Sequence, residues 1–156
     1  MIYRIEQATM KDAQEIHRLV RNSARRQEML PRPLQSVYEN LRNFFICRNR
    51  TGRVIGCCAM QIVWEDLAEI RSLAVEPRYH RKGIGRMLVG AALSEAARME
   101  IKEVFLLTYV PEFFQKFGFR RVSKKRLPHK IWTDCLNCPQ FPDCDEVAML
   151  RVGKKA

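Results

Sequence analysis

No apolar run in this chain approaches the roughly 20 residues that a membrane-spanning helix needs. The N-terminal stretch Met1-Ile2-Tyr3-Arg4-Ile5 has no apolar signal-peptide core, so a cytoplasmic protein is expected. The phosphate loop of ATP and GTP enzymes, G-x-x-x-x-G-K-[ST], is absent. The dinucleotide fingerprint G-x-G-x-x-G fails as well, because its third glycine would be position 88, which is Leu88. Repeats, low-complexity tracts and internal linkers are missing. Acid is scarce: 17 acidic residues face 28 basic ones, for a net charge of +11. That balance favours an anionic ligand. Nucleic acid fits poorly, because no stacked-aromatic RNA motif or recognition-helix pattern accompanies the short clusters Arg25-Arg26, Arg120-Arg121 and Lys124-Lys125-Arg126.

What is there suits one soluble domain: 156 residues, 47% of them hydrophobic. Ile2 to Gln7 reads as a strand, and Thr9-Met10-Lys11-Asp12 as a capping box. A helix follows, with Ala13, Ile16, Leu19, Val20 and Ala24 on one face. Pro31 and Pro33 break the chain before a short helix over 34–42. Strands are expected at 43–48 and 54–64, joined by a turn at Thr51-Gly52, and again at 67–75. The period of Ile84, Met87, Leu88, Ala91 and Ala92 predicts a helix to about Met99. A strand at 103–108, a helix opened by Pro111 and ending at Gly118, and a last strand at 147–152 complete the order.

The most informative segment is Leu73-Ala74-Val75-Glu76-Pro77-Arg78-Tyr79-His80-Arg81-Lys82-Gly83-Ile84-Gly85-Arg86. It reads as an apolar strand end, a proline break and a basic glycine loop opening a helix. Such a loop offers free backbone N–H groups and the positive end of a helix dipole to phosphate. The glycines let the backbone approach the ligand closely, and Arg78, Arg81, Lys82 and Arg86 add charge. With the nucleotide motifs excluded, the remaining pattern x-x-G-x-G after Leu-Ala-Val resembles the GNAT superfamily of acyl-CoA N-acyltransferases, whose signature is [Q/R]-x-x-G-x-[G/A]. His80 stands where that signature has Gln or Arg. The resemblance covers about residues 1 to 128. It implies an α/β (α+β) fold with a mixed, mostly antiparallel sheet flanked by helices, as one N-acetyltransferase domain over 1–156. It also implies acetyl-CoA as cosubstrate, bound at Arg81, Lys82, Gly83, Ile84, Gly85 and Arg86. The pantetheine arm would pair with the backbone of Leu73, Ala74 and Val75, and an N–H near Ala74 or Val75 would face the thioester oxygen. A homodimer is common for the fold, but the sequence identifies no interface.

Acetyl transfer to an amine needs a neutral nucleophile, a donor for the developing oxyanion and a proton for the leaving thiolate. Glu69, amid Leu67, Ala68, Ile70 and Leu73, suits a general base acting directly or through water, since burial raises a carboxylate's proton affinity. It also matches the glutamate base of histone-type GNAT members. The competing reading is a Glu69–Arg71 ion pair without a catalytic role. A period of two would put Glu69, Arg71 and Leu73 on one face. Arg71 and Arg32 are candidates for a substrate carboxylate, although Arg32 also reads as an ordinary surface arginine. Tyr109-Val110-Pro111-Glu112-Phe113-Phe114-Gln115-Lys116-Phe117-Gly118-Phe119 resembles the superfamily's Y-x-x-x-G-F element, whose tyrosine protonates the thiolate. Phe114 occupies that tyrosine position, which leaves Tyr109 or loss of the thiolate to solvent.

Cys47, Cys57 and Cys58 lie in apolar strand contexts and read as buried free thiols. The Cys-rich segment 129–146 is different: Cys135-x2-Cys138-x5-Cys144, with His129 upstream, has the spacing of a structural zinc site. Packing or redox-sensing thiols are the alternative. Finally, Leu30-Pro31-Arg32-Pro33-Leu34, Thr108 to Phe114, Leu127-Pro128-His129-Lys130-Ile131-Trp132 and Asp134-Cys135-Leu136-Asn137-Cys138-Pro139 together resemble the short, single-domain bacterial N-acetylglutamate synthases of arginine biosynthesis. That narrower resemblance implies L-glutamate as acceptor, its carboxylates held by Arg71, Arg32 and Lys130. A GNAT enzyme for another amine or a protein N-terminus, and an acetyl-CoA-sensing module without turnover, are the alternatives.

Overall fold

Strand follows helix in the expected order, and the strands close into one seven-stranded sheet. The structure, a computed structural model, describes residues 3–127 and 146–153. The strands are β1 (Arg4–Gln7), β2 (Phe44–Arg48), β3 (Val54–Trp64), β4 (Leu67–Val75), β5 (Glu103–Thr108), β6 (Arg120–Arg121) and β7 (Val147–Val152). The helices are α1 (Ala13–Arg25), α2 (Leu34–Glu39), α3 (Ile84–Arg98) and α4 (Pro111–Gln115). The sheet order is β1-β2-β3-β4-β5-β7-β6. Among the described residues β4 and β5 pair in parallel and the other pairs are antiparallel. The mixed, mostly antiparallel sheet flanked by helices is thus the one expected. No described helix is long and apolar enough to cross a membrane.

Each face of the sheet carries its own core. On one face α1 and α2 cover Val54, Cys57, Ala59 and Ala74 with Ile16, Leu19, Val20 and Val37. On the other, α3 lays Ile84, Leu88, Val89, Ala92 and Ala96 over Cys58, Met60, Ala68 and Ile70. Full burial of each large side chain in that set is worth about 1.5–3 kcal/mol. Helix α3 sits tight on β3 at Gly56, where a Cβ would come within 3.1 Å of Leu88 and 3.2 Å of Ile84. The capping box forms as read: the Asp12 carboxylate accepts from the Thr9 N–H at 2.9 Å. Arg48 on β2 donates to both oxygens of Asp12, at 2.8 and 2.9 Å, which fastens α1 to the sheet. Burial opposes charge on Asp12, but the Thr9 N–H and the Arg48 guanidinium outweigh it and hold the carboxyl below its usual range.

Two departures from the sequence reading matter. The helix after Pro33 stops at Glu39, and a 3-10 turn over Leu41–Asn43 carries the chain into β2. Strand β6, two exposed arginines paired to β7, has no apolar period by which to be seen and was not expected.

Candidate active site

Strand β4 changes character half-way along. Its register against β3 runs Met60↔Ile70 and Ala59↔Arg71, then resumes at Cys57↔Ala74. Ser72 and Leu73 therefore stand opposite the single residue Cys58, a β-bulge. Ser72 takes the left-handed conformation, with φ 56. The extra residue reverses the alternation of faces. Arg71 and Ala74 share the face under α1 and α2, whereas Leu73 packs against the α3 core. The expectation that Glu69, Arg71 and Leu73 share one face is corrected by this bulge, because a strict period of two does not survive an inserted residue.

The bulge also marks where β4 and β5 part. They pair only at Leu67↔Glu103, Ala68↔Val104 and Glu69↔Phe105, although β4 runs on to Val75 and β5 to Thr108. The two strands separate toward their C-terminal ends, leaving a wedge with backbone on either side. The Glu76 N–H donates to Ile55 on β3 at 2.9 Å. Successive residues of a strand present their amides to opposite edges, so Val75 turns its backbone polar groups toward the wedge. The Val75 carbonyl accepts from His80 Nε2 at 2.7 Å. His80, the departure from the signature, thus braces the glycine loop against the end of β4.

Beyond Val75 a 3-10 turn at Pro77–Tyr79 leads into the loop. Gly83 caps α3 in the left-handed conformation, φ 81, with no side chain capping the helix and no acid in its first turn. The first intrahelical bond runs from the Met87 N–H to the Gly83 carbonyl at 3.0 Å. The N–H groups of Ile84, Gly85 and Arg86 therefore precede the helical ladder, at the positive end of the dipole. Arg81, with φ 64, adds a second left-handed residue. Such a turn concentrates amides into an anion-binding concavity, and the wedge leads straight to it. The residues expected to hold acetyl-CoA thus adjoin one another at the end of β4 and the start of α3.

The acceptor side lies across the bulge. Arg32, Ser36, Asn40, Gln61, Arg71 and Ser72 line a cleft between the chain after α1 and the α1–α2 face of the sheet. Arg32 and Arg71, distant in sequence, both line it. Arg71 faces the Glu69 carboxylate at 3.5 Å and also donates to Gln61 Oε1. Its Nε is buried and has no hydrogen-bond partner among the described residues. Glu69 is therefore ion-paired to Arg71, which itself lines the cleft. Sequence reading missed Gln61, Asn40 and Ser36. Gln61 could have been found as the one polar residue within the run Val54 to Val63, four residues before the hairpin turn at Glu65-Asp66.

Tyr109 follows the last residue of β5 and stands half-buried at the mouth of the wedge. Phe114 fills the superfamily's tyrosine position with core. It is 5% exposed and packs edge-on against Phe113 and Phe119, with ring centroids 4.9 and 5.8 Å away. Cys47, Cys57 and Cys58 are buried free thiols, as read. Lys130, His129, Cys135, Cys138 and Cys144 lie outside the described residues. Among the described residues no group of three or more His, Cys, Asp or Glu could hold a metal.

A splayed parallel pair ending in an uncapped, glycine-opened helix defines the acyl-CoA acyltransferase class. The Acetyltransferase (GNAT) family matches residues 6–119, and the chain belongs to that family, as an acyltransferase. An uncharacterized N-acetyltransferase of Chlorobaculum tepidum is 41% identical over 147 residues, covering 94% of each chain. An amino-acid acetyltransferase of Mycobacterium tuberculosis is 33% identical, over 76% of this chain and 69% of that one. Among solved structures, N-acetylglutamate synthase from Neisseria gonorrhoeae, complexed with coenzyme A and N-acetyl-glutamate, superposes with a TM-score of 0.88 at 25% identity. That match covers 99% of this chain and 36% of the larger synthase.

Proposed function

We propose that this chain transfers acetyl from acetyl-CoA to the α-amine of L-glutamate, the N-acetylglutamate synthase reaction that opens arginine biosynthesis, in the cytoplasm. The observation that carries the reading is the convergence of Arg32 and Arg71 on one cleft beside the bulge. Two guanidiniums suit a dicarboxylic acceptor, since each fork matches a carboxylate. The unpartnered Arg71 Nε strengthens this: a buried donor without an acceptor costs about 1–3 kcal/mol, which an incoming carboxylate would offset. The same cations repel a polyamine. Lys130 would supply a further cation from outside the described residues. The relatives named above, an amino-acid acetyltransferase and an N-acetylglutamate synthase, point the same way.

In this reading the amides of Ile84, Gly85 and Arg86, with Arg81 and Lys82, hold the pyrophosphate, and Leu73, Ala74 and Val75 line the arm. Bound acetyl-CoA supplies an acyl thioester at the wedge. Glu69 takes the proton from the amine, directly or through water, as the C–N bond forms. The Val75 N–H donates to the oxygen on which charge develops. Tyr109 or water then gives a proton to the departing sulfur as the C–S bond breaks. The Cys135, Cys138, Cys144 and His129 set is proposed to hold a structural zinc.

Thiol release from acetyl-CoA across a panel of amines tests the proposal, with Glu69→Gln as control. L-glutamate should be the preferred acceptor and Glu69→Gln should lose most of the rate. Turnover on spermidine with none on glutamate would select a different GNAT substrate.

A further inference from the structure

The bulge on which both substrates meet is built at some cost. Ser72 is the described non-glycine residue that holds a positive φ within a strand. That conformation costs an L-residue roughly 1–2 kcal/mol, so a neighbouring contact must hold it. The structure shows one. Cys57, on β3 beside the bulge and fully buried, donates its S–H to the Ser72 carbonyl at 3.4 Å. Ala74, at the other end of the bulge, is the register partner of Cys57 on β3. Burial pushes the Cys57 thiol up to about 12, outweighing the Ala74 amide and Arg18, so the proton it donates is present at any working pH. The contact turns the Ser72 carbonyl and the Ala74 amide toward β3. By alternation, Leu73 and Val75 then face the wedge.

We propose that Cys57 is a positioning residue for acetyl transfer: its thiol clasps the bulge and so aims the backbone of Leu73 and Val75 at the thioester. The inference rests on the acetyl-transfer chemistry of the family and holds for whichever amine is acetylated.

The neighbouring Cys58 provides the control. It is equally buried and stands opposite the bulge, but its side chain faces the α3 core, where its thiol lies 3.9 Å from the Ala59 carbonyl. Cys57→Ala and Cys58→Ala remove the same sulfur from opposite faces, whereas Cys57→Ser keeps a donor. Cys57→Ala should lower kcat about tenfold with the KM for acetyl-CoA within about twofold, the pattern of an interaction made in the transition state. Cys57→Ser should recover to within about threefold of the native rate, because its hydroxyl still donates. Cys58→Ala should keep the native kcat. Amide hydrogen exchange on the intact, ligand-free protein gives a second readout independent of turnover. Ala74, whose amide is turned toward β3, should exchange at least about tenfold faster in Cys57→Ala alone, as expected for local opening. Native exchange and kcat in Cys57→Ala would overturn the proposal. So would equal losses in Cys57→Ala, Cys57→Ser and Cys58→Ala, which would mark the sulfur as packing only.

Discussion

In the proposed reaction the two sides of β4 would recognise their substrates by different means. On the donor side the contacts come from backbone: the amides at the start of α3, the left-handed Gly83 and the exposed edge of Val75. On the acceptor side they come from side chains contributed by separate elements: Arg32 after α1, Gln61 on β3, and Arg71 on β4. A backbone site needs only glycines at a fixed spacing, whereas a side-chain site can be rebuilt residue by residue without disturbing the sheet. The bulge at Ser72 is the partition between them.

The largest expected effect lies on the acceptor side. Arg71→Gln should lower kcat/KM for glutamate about a hundredfold, since a hydrogen bond to a charged group is worth about 1.5–3 kcal/mol. The KM for acetyl-CoA should stay within about twofold, as expected if the interaction is confined to the acceptor. Equal losses for both substrates in steady-state kinetics would erase the division. Next, Gly83→Ala should do the converse. Its φ of 81 is strained for alanine by about 1–2 kcal/mol, so the KM for acetyl-CoA should rise about tenfold while that for glutamate holds.

A smaller effect should come from Asp12→Asn, which loosens α1 and hence the acceptor wall. It should lower stability in thermal or denaturant unfolding at pH 7 by about 2 kcal/mol, the scale for a buried, hydrogen-bonded charge pair. The sign with pH follows from the lowered Asp12 pKa. The carboxylate's contribution is present above the unfolded value near 3.9 and is lost as pH falls through the lower folded value. The native and mutant unfolding curves should therefore converge only below about pH 4. The least effect on either side should come from the tail. Metal analysis of protein purified without chelator should find about one zinc per chain if the Cys and His set is ligating; metal-free protein would leave those thiols to packing or redox.

Legibility in the sequence divides along the same line. The glycine loop could be read because no other residue type meets its backbone demands at Gly83, and α1 and α3 because their apolar periods are long. The mixed, mostly antiparallel character of the sheet came with the family resemblance. The bulge was hidden: a serine at Ser72 gives no hint of positive φ, and the alternation of β4 looks unbroken on paper. Arg32 and Arg71 could be nominated singly, but only the fold brings them to one cleft. Gln61 and the Cys57 clasp depend on hairpin register, which a bulge shifts. Strand β6 is two charged residues long and exists through its pairing with β7.

Nuclear magnetic resonance titrations with each ligand alone test the division of labour most directly. Coenzyme A should move the backbone amides of Val75 and of Gly83 to Arg86 and leave the guanidinium signals of Arg32 and Arg71 in place. L-glutamate should move those two guanidiniums and leave the loop amides unchanged. Glutamate perturbing the loop while both arginines stay still would contradict the account.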